Sequence, residues 1–313
     1  MSCPFSFGGV DIALWDLRGK ALGLPLWRLL GGGRNRVPVY ASWKLWWNYD
    51  LPTLTKHAGE MLDQGFRAMK FRLGGVPDPA ACAERTRVLR EAVGPQVDLM
   101  ADANQGWGVS QSIAIGRALE PYRLFWLEDP VHHEDYQGLG AVAAAMDTPL
   151  ATGESYHNLR PFTTLLEARA ADHLIVDLDV GGVTQWMKAA ALAHAYRMPV
   201  AGHTAPEVLV HCVGAAPNGS IVECIPWMFD LWQEPPRLED GLLVAPDRPG
   251  IGVTMRDDLD LLFLAARALE SSIDELRLIQ PSAIVTEFEK SLLRELSFTT
   301  ELASLVTMRR LLD

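Results

Sequence analysis

The feature that most limits what this chain can fold into is a repeat of short apolar runs, each closed by a polar residue or a glycine. The runs are VPVYASW (37–43), AMKFRL (68–73), DLMADAN (98–104), LFWLEDP (124–130), PLATGES (149–155), HLIVDLD (173–179), PVAGHT (199–204) and SIVECIP (220–226). Their starts lie 21 to 31 residues apart. Segments of helical period fill the intervals, with TLTKHAGEMLDQGF and VTQWMKAAALAHAYR the clearest. Each interval therefore holds one strand, one helix and two short loops. Near-continuous apolar strands are strands buried on both faces, and eight such units predict a closed parallel barrel. A doubly wound open sheet is the competing arrangement, but no GxGxxG follows the first run.

The expected fold class is thus α/β, a closed TIM-type barrel. Residues 1–36 read as a lead-in helix and loop, with an amphipathic helix and a turn over 8–30. Residues 37–226 form the barrel that carries the active site. Residues 227–262, rich in Pro, Gly and Asp, read as an irregular return segment, and residues 263–313, which lack glycine, as a helical tail. The 313 residues leave room for one large domain or two ordinary ones, and 49% of them are hydrophobic, enough for a sizeable core. A net charge of -11 argues against nucleic acid or an anionic membrane surface as partner. Small anions are not excluded, because a few local cations or a metal outweigh a distant net charge. The four cysteines form no CxxC pair, which predicts reduced thiols and a cytoplasmic location. No apolar run approaches the roughly 18 residues of a membrane span, and MSCPFSFGG shows no basic stretch followed by an apolar one, so no signal peptide is expected.

In a parallel barrel the C-terminal strand ends converge on one site. Those ends read Lys70 and Arg72, Asp102 and Asn104, Glu128, Glu154, Asp177, His203 and Glu223. Asp102, Glu128 and Glu154 are spaced 26 residues apart, and each ends an apolar run before a turn, in MADAN, WLEDP and ATGES. Three carboxylates in one place repel unless a cation neutralises them. Three hard oxygen ligands with positions left for water suit Mg²⁺. Taken singly, a strand-end acid is more often a helix N-cap and a lone histidine more often a satisfied core group. The case rests on charged or titratable residues closing every strand from the second to the eighth.

These residues resemble the enolase superfamily, specifically the mandelate racemase/muconate lactonizing enzyme branch. The matching strings are VDIALWDLRGKALGLPLWRLLGG, MKFRLGG, ADANQGW, WLEDP, ATGES, DVGGVTQWMKAAALAHAYRMPVAGH and PDRPGIGV, over about residues 7–258. The resemblance implies a barrel of (β/α)7β-like form, Mg²⁺ ligands at Asp102, Glu128 and Glu154, a His–Asp pair at His203 and Asp177, and a last-strand glutamate at Glu223. The family's paired strand-two lysines fall on Lys70 and Arg72. There are several departures. The second cation is arginine. DLDVGG is one residue short, which makes Asp179 a rival of Asp177. The family's α+β capping domain, which closes the site, is expected before the barrel, and the chain starts where that domain should end. Residues 281–305 resemble instead a segment of the ABC1/UbiB family, and with the missing cap they suggest a rearranged or fused frame.

The chemistry implied is abstraction of a proton next to a carboxylate, with Mg²⁺ and flanking cations stabilising the enolate. The resemblance makes His203 the base, Asp177 the group that fixes its tautomer, Glu223 a proton-sharing partner of the substrate carboxylate and Asn104, on the strand face of Asp102, a substrate contact. Lys70 and Arg72 face the carboxylate. A racemase needs a base on each face of the carbon. Neutralising a guanidinium costs about 7 kcal/mol or more at neutral pH, so Arg72 is a clamp rather than a base. The expected function is dehydration of a sugar acid, a lyase. A racemase, epimerase or cycloisomerase is the runner-up, and an inactive or partner-dependent barrel fragment is the non-enzymatic alternative. The partners expected are a small carboxylate, sugar acid or 2-hydroxy acid, and further copies of the chain in a homo-oligomer.

Overall fold

The apolar runs are strands of a closed barrel in the computed structural model, which describes residues 4–76, 78–255 and Thr286. The chain divides into two compact units, Met1–Thr254 and Met255–Asp313. The helical tail expected over 263–313, and the resemblance at 281–305, lie outside the described residues, Thr286 apart.

The first unit opens with helix α1 (Pro4–Leu22) and the short α2 (Leu26–Leu29). Strand and helix then alternate as β1 (Arg36–Ala41), α3 (Leu51–Asp63), β2 (Ala68–Arg72), α4 (Pro79–Val93), β3 (Asp98–Asp102), α5 (Val109–Leu119), β4 (Trp126–Glu128) and α6 (Tyr136–Ala144). The series continues through β5 (Leu150–Thr152), α7 (Leu159–Glu167), β6 (His173–Asp177), α8 (Gly182–Ala195), β7 (Val200–His203), α9 (Pro206–Ala215) and β8 (Gly219–Cys224). Each strand from β1 to β8 pairs in parallel with the next, and β8 closes on β1. The helices start where polar residues follow the strands. Asp50, Asp78, Asp135 and Asn158 accept from the backbone N–H groups of Thr53, Ala81, Gly138 and Arg160, ordinary N-caps of α3, α4, α6 and α7.

The return segment holds more order than expected. After a 3₁₀ turn (Pro226–Leu231), β9 (Arg237–Glu239) and β10 (Leu242–Val244) form a hairpin, and β10 pairs antiparallel with the start of β1. Asp240 and Gly241 connect the two strands, both at positive φ, 49° and 76°. This is the backbone that a tight two-residue hairpin turn demands.

The lead-in also differs. It is a helix, as expected, but not an amphipathic one. Ile12 and Trp15 pack on the core, the Trp15 indole N–H donates to Thr184 Oγ1 at 2.8 Å, and Asp11 accepts from Thr184 N at 2.9 Å. The opposite face is apolar as well, with Val10, Leu14 and Leu17 60%, 60% and 63% exposed.

The barrel interior explains where chemistry sits. One layer of side chains fills it, namely Tyr40, Ala68, Met100, Trp126, Ala151, Ile175, Ala201 and Ile221, one from each strand. Successive side chains alternate between the two faces of a strand. Two residues further along, toward the C-terminal mouth, come Ser42, Lys70, Asp102, Glu128, Gly153, Asp177, His203 and Glu223. The chain thus switches from an apolar plug to a polar layer within one pleat, in seven of eight strands.

Candidate active site

Strand register sets the polar layer. Arg72 lies beside Asp102, Asp102 beside Glu128, and Asp177 beside His203, each pair on neighbouring strands. Glu154 is the exception to the two-residue step, because β5 ends at Thr152. Gly153 turns the chain there with φ of 131°, and a Cβ at that position would sit 2.6 Å from the Ile175 carbonyl oxygen. Only glycine fits, and the turn delivers Glu154 to the mouth.

Lys70 is fully buried at the centre. Its ammonium pairs with Glu128, lies 3.1 Å from Glu223 Oε1 and 3.5 Å from Asp102 Oδ2. Burial opposes its charge, but Glu128 and Glu223 outweigh that and raise its pKa well above the ordinary lysine value. Arg72 lays its guanidinium 4.5 Å from the Trp46 ring centroid, donates to Ser42 Oγ at 3.2 Å, and brings Nε within 3.8 Å of Asp102.

Of the two aspartates left open by the sequence, Asp177 is the partner of His203, with Oδ2 2.7 Å from Nδ1. Its other oxygen accepts from Asp179 N at 2.9 Å, so Asp179 sits in the 3₁₀ turn that Asp177 caps. Thr204 Oγ1 donates to the same Asp177 Oδ2 at 2.8 Å, and its backbone N–H donates to Glu223 Oε2 at 3.0 Å. The His203 Nε2 edge faces Glu154 Oε2 at 2.9 Å and Glu223 Oε2 at 3.3 Å. Burial works against the imidazolium, but Glu223, Glu154 and Asp177 together raise the His203 pKa well above its ordinary value. The reverse holds for the acids. Burial disfavours the Glu154 carboxylate, yet His203 and Lys70 hold its pKa at about 2, and Lys70 and His203 do the same for Glu223.

Asn104 departs from expectation. Strand β3 ends at Asp102, and Asn104 lies beyond it in left-handed backbone with φ of 45°, so the two do not share a strand face. Its backbone N–H donates to Asp102 Oδ1 at 2.8 Å and its side-chain amide to Oδ2 at 3.2 Å.

Asp102, Glu128 and Glu154 reach one mouth without closing on one another. Lys70 bridges Asp102 and Glu128, while Glu154 turns to His203. Among the described residues, the three-ligand group whose atoms lie within 4.8 Å of one another is elsewhere, at His132, His133 and Glu134. The donor chemistry nevertheless fits a divalent cation. Burial and neighbouring acids raise the pKa of Glu128 and Asp129 well above the carboxylate range, and that of Asp102 less so, the marks of buried negative charge without enough counter-charge. Both Asp129 oxygens are buried without a hydrogen bond, with the Thr152 hydroxyl nearby. Six carboxylates, Asp102, Glu128, Asp129, Glu154, Asp177 and Glu223, face three basic side chains, Lys70, Arg72 and His203.

Five residues join the site that the sequence reading did not single out: Ser42, Trp46, Gln105, Asp129 and Thr204. Gln105 is the most connected. Its backbone N–H donates to the Asp129 carbonyl at 2.7 Å, its amide donates to Ser155 Oγ at 3.0 Å, and its Oε1 accepts from His133 N at 3.0 Å. One side chain thereby ties together the loops that follow Asp102, Glu128 and Glu154. The signals available were adjacency for Asp129 and Thr204 and the two-residue step after Tyr40 for Ser42. Trp46 and Gln105 sit in loops that carry no period.

Residues 53–259 match the family model described as enolase C-terminal domain-like, and residues 5–31 match that of the mandelate racemase / muconate lactonizing enzyme N-terminal domain. L-talarate/galactarate dehydratase of Salmonella typhimurium is 35% identical over 249 residues, covering 79% of this chain and 62% of that protein. The chain thus spans less than two thirds of that relative's length. 3,6-anhydro-alpha-L-galactonate cycloisomerase of Streptomyces coelicolor is 36% identical over 254 residues, covering 80% of this chain and 69% of that protein. The structure of L-talarate dehydratase from Polaromonas sp. JS666, complexed with Mg and L-glucarate, superposes with a TM-score of 0.79 at 35% identity, covering 82% of this chain and 72% of that one.

Proposed function

Because the chain belongs to the mandelate racemase / muconate lactonizing enzyme family of the enolase superfamily, we propose that it uses Mg²⁺ to abstract the proton next to a carboxylate, and that its reaction is the dehydration of a sugar acid. The observation that carries this is the pairing of one base, His203 on Asp177 at 2.7 Å, with buried carboxylates and two fixed cations across a single barrel mouth. Relatives named as dehydratases of talarate/galactarate, gluconate and arabinonate support the substrate class.

Asp102, Glu128 and Glu154 would hold the ion, with the buried Asp129 carboxylate adding negative charge nearby. When bound, Mg²⁺ supplies electrostatic stabilisation for the negative charge that develops on the substrate carboxylate. His203 takes the α-proton at Nε2. Asp177 accepts the Nδ1–H, fixes the tautomer and stabilises the imidazolium. Were Glu154 a metal ligand, fewer free carboxylates would hold His203 protonated, which would favour the neutral imidazole that a base needs. The imidazolium formed by proton abstraction then protonates the departing β-hydroxyl, which leaves as water. Lys70 and Arg72 face the growing charge. The guanidinium is held by Trp46 on its face and Ser42 on one amino group, which presents the rest of its donor fork to a carboxylate. Glu223, wedged between Lys70 and His203, is held ionised in the free chain; a substrate carboxylate beside it would raise its pKa and let the two share one proton taken up with the substrate.

The cycloisomerase relative supports a second reading in which the same proton abstraction ends in ring opening or closure. Incubating the chain with Mg²⁺ and a panel of sugar acids separates the two. A 2-keto-3-deoxy acid is the product of dehydration, whereas an isomer of unchanged mass argues for cycloisomerisation.

Two further traits belong to this reading. Cys82, Cys212 and Cys224 are buried free thiols, which supports a cytoplasmic setting; among the described residues no helix is long and apolar enough to cross a membrane. The exposed Val10, Leu14 and Leu17 stripe on α1 supports association between copies. Light scattering that returns the monomer mass would count against that association.

A further inference from the structure

A second cluster of titratable side chains sits outside the carboxylate layer, on the loop between β4 and α6. His132, His133 and Glu134 each offer a ligand atom, and these atoms lie within 4.8 Å of one another. We propose that these three residues form a binding site for a borderline divalent cation, Zn²⁺ in the first place, separate from the carboxylate cluster inside the barrel.

Three observations make this more than a solvated charged loop. First, the two imidazoles are stacked, with ring centroids 4.4 Å apart and planes 30° apart, which holds the two rings against each other. Second, His133 is anchored. Its backbone N–H and its Nδ1 both meet Gln105 Oε1, at 3.0 and 2.9 Å, and its carbonyl accepts the Tyr156 hydroxyl at 2.6 Å. An amide oxygen can only accept, so Nδ1 carries the proton and Nε2 carries the lone pair. A ligating histidine ordinarily has its other ring nitrogen held in this way by a carbonyl or carboxylate, which fixes ring and tautomer. Third, the Tyr156 ring meets His133 edge-on, with centroids 5.8 Å apart and planes 66° apart, which further fixes the imidazole.

His132 is exposed and its Nδ1 accepts a long 3.3 Å contact from Glu134 N. Binding through Nε2 gives up that one weak bond. Two imidazole nitrogens and one carboxylate are a zinc-type ligand set with a fourth position open to solvent or a further donor. Mg²⁺ prefers all-oxygen ligands and is a poor match.

The test is Zn²⁺ titration calorimetry on the full chain in excess Mg²⁺. The chain carries Glu128→Gln, to weaken metal binding at the barrel mouth, with and without His132→Ala and His133→Ala together. The parent and Glu128→Gln should each bind one equivalent at about pH 7.5. The double histidine variant should lose affinity by at least about tenfold. Unchanged affinity in that variant, or no Zn²⁺ uptake by the parent, overturns the proposal. If circular dichroism shows the double variant unfolded, His132→Ala alone decides. Its side chain is exposed, so equal Zn²⁺ affinity there refutes the site and a clear loss supports it.

Discussion

Replacing Arg72 by lysine keeps the charge at the mouth of β2 and removes its shape. The structure gives the cost. Arginine donates to Ser42 at 3.2 Å and stacks 4.5 Å from the Trp46 centroid. A hydrogen bond from a charged donor contributes about 1.5–3 kcal/mol, and a cation–π contact about 0.5–2 kcal/mol, part of which an ammonium retains. The net loss should be about 2 kcal/mol. For a unit of this size that lowers the melting temperature by about 4–8 °C. Arg72→Lys should also raise KM for the sugar acid, because a point charge replaces a bidentate fork. Proton exchange from the opposite face of the α-carbon should not increase. Thermal melting with steady-state kinetics reads both effects. An unchanged melting temperature together with an unchanged KM would refute the clamp, and new exchange of the opposite enantiomer would show that this position supports a base.

Other outcomes follow from the same geometry. His211 is buried, accepts from Trp27 N at 3.1 Å and contacts the Ile251 carbonyl at 2.9 Å through Nε2, and burial lowers its pKa to about 4. The unfolded chain binds this proton near pH 6.5, so the stability linked to His211 is complete above about pH 6.5 and is lost, by roughly 3 kcal/mol, as pH falls to about 4. Urea unfolding against pH should lose that part of its slope in His211→Gln, and parallel curves for parent and variant would be the contrary result. Gln105→Leu should cut Mg²⁺ affinity by about 10–100-fold with circular dichroism unchanged, because it releases three loops from one another; equal affinity would reduce Gln105 to a packing residue. Glu128→Gln should weaken Mg²⁺ binding in calorimetry, and an unaltered isotherm would move the metal away from this carboxylate.

Much of the architecture was legible because buried parallel strands write themselves as apolar runs. The observed strands begin within two residues of each run, and the layer of chemistry follows from alternation once one interior residue per strand is known. What the sequence concealed was set by contacts between distant residues. Trp46 approaches Arg72 from the β1–α3 loop, 26 positions away, and nothing in its own neighbourhood announces that. Asp177 and Asp179 were indistinguishable as letters; the backbone separates them, since Asp179 falls in a 3₁₀ turn that Asp177 itself caps. Asn104 was misplaced because a strand was extended two residues past its end, into left-handed backbone. The sequence over 8–30 reads as an amphipathic helix, and in α1 one face does pack on the core. The other face carries Val10, Leu14 and Leu17 on the surface, and only burial reveals it.

The central claim is that His203 removes a proton next to a carboxylate, and solvent exchange tests it most directly. The chain is incubated in D₂O with Mg²⁺ and the sugar acids that it turns over, and the α-position is followed by proton NMR in parent and His203→Asn. The parent should lose the α-proton signal or form product carrying solvent deuterium at the deoxy carbon. The variant, which keeps a polar side chain of similar volume but no base, should do neither while retaining the parent's circular dichroism. Loss of the α-proton at the parent rate in His203→Asn would contradict the account and move the base elsewhere in the layer.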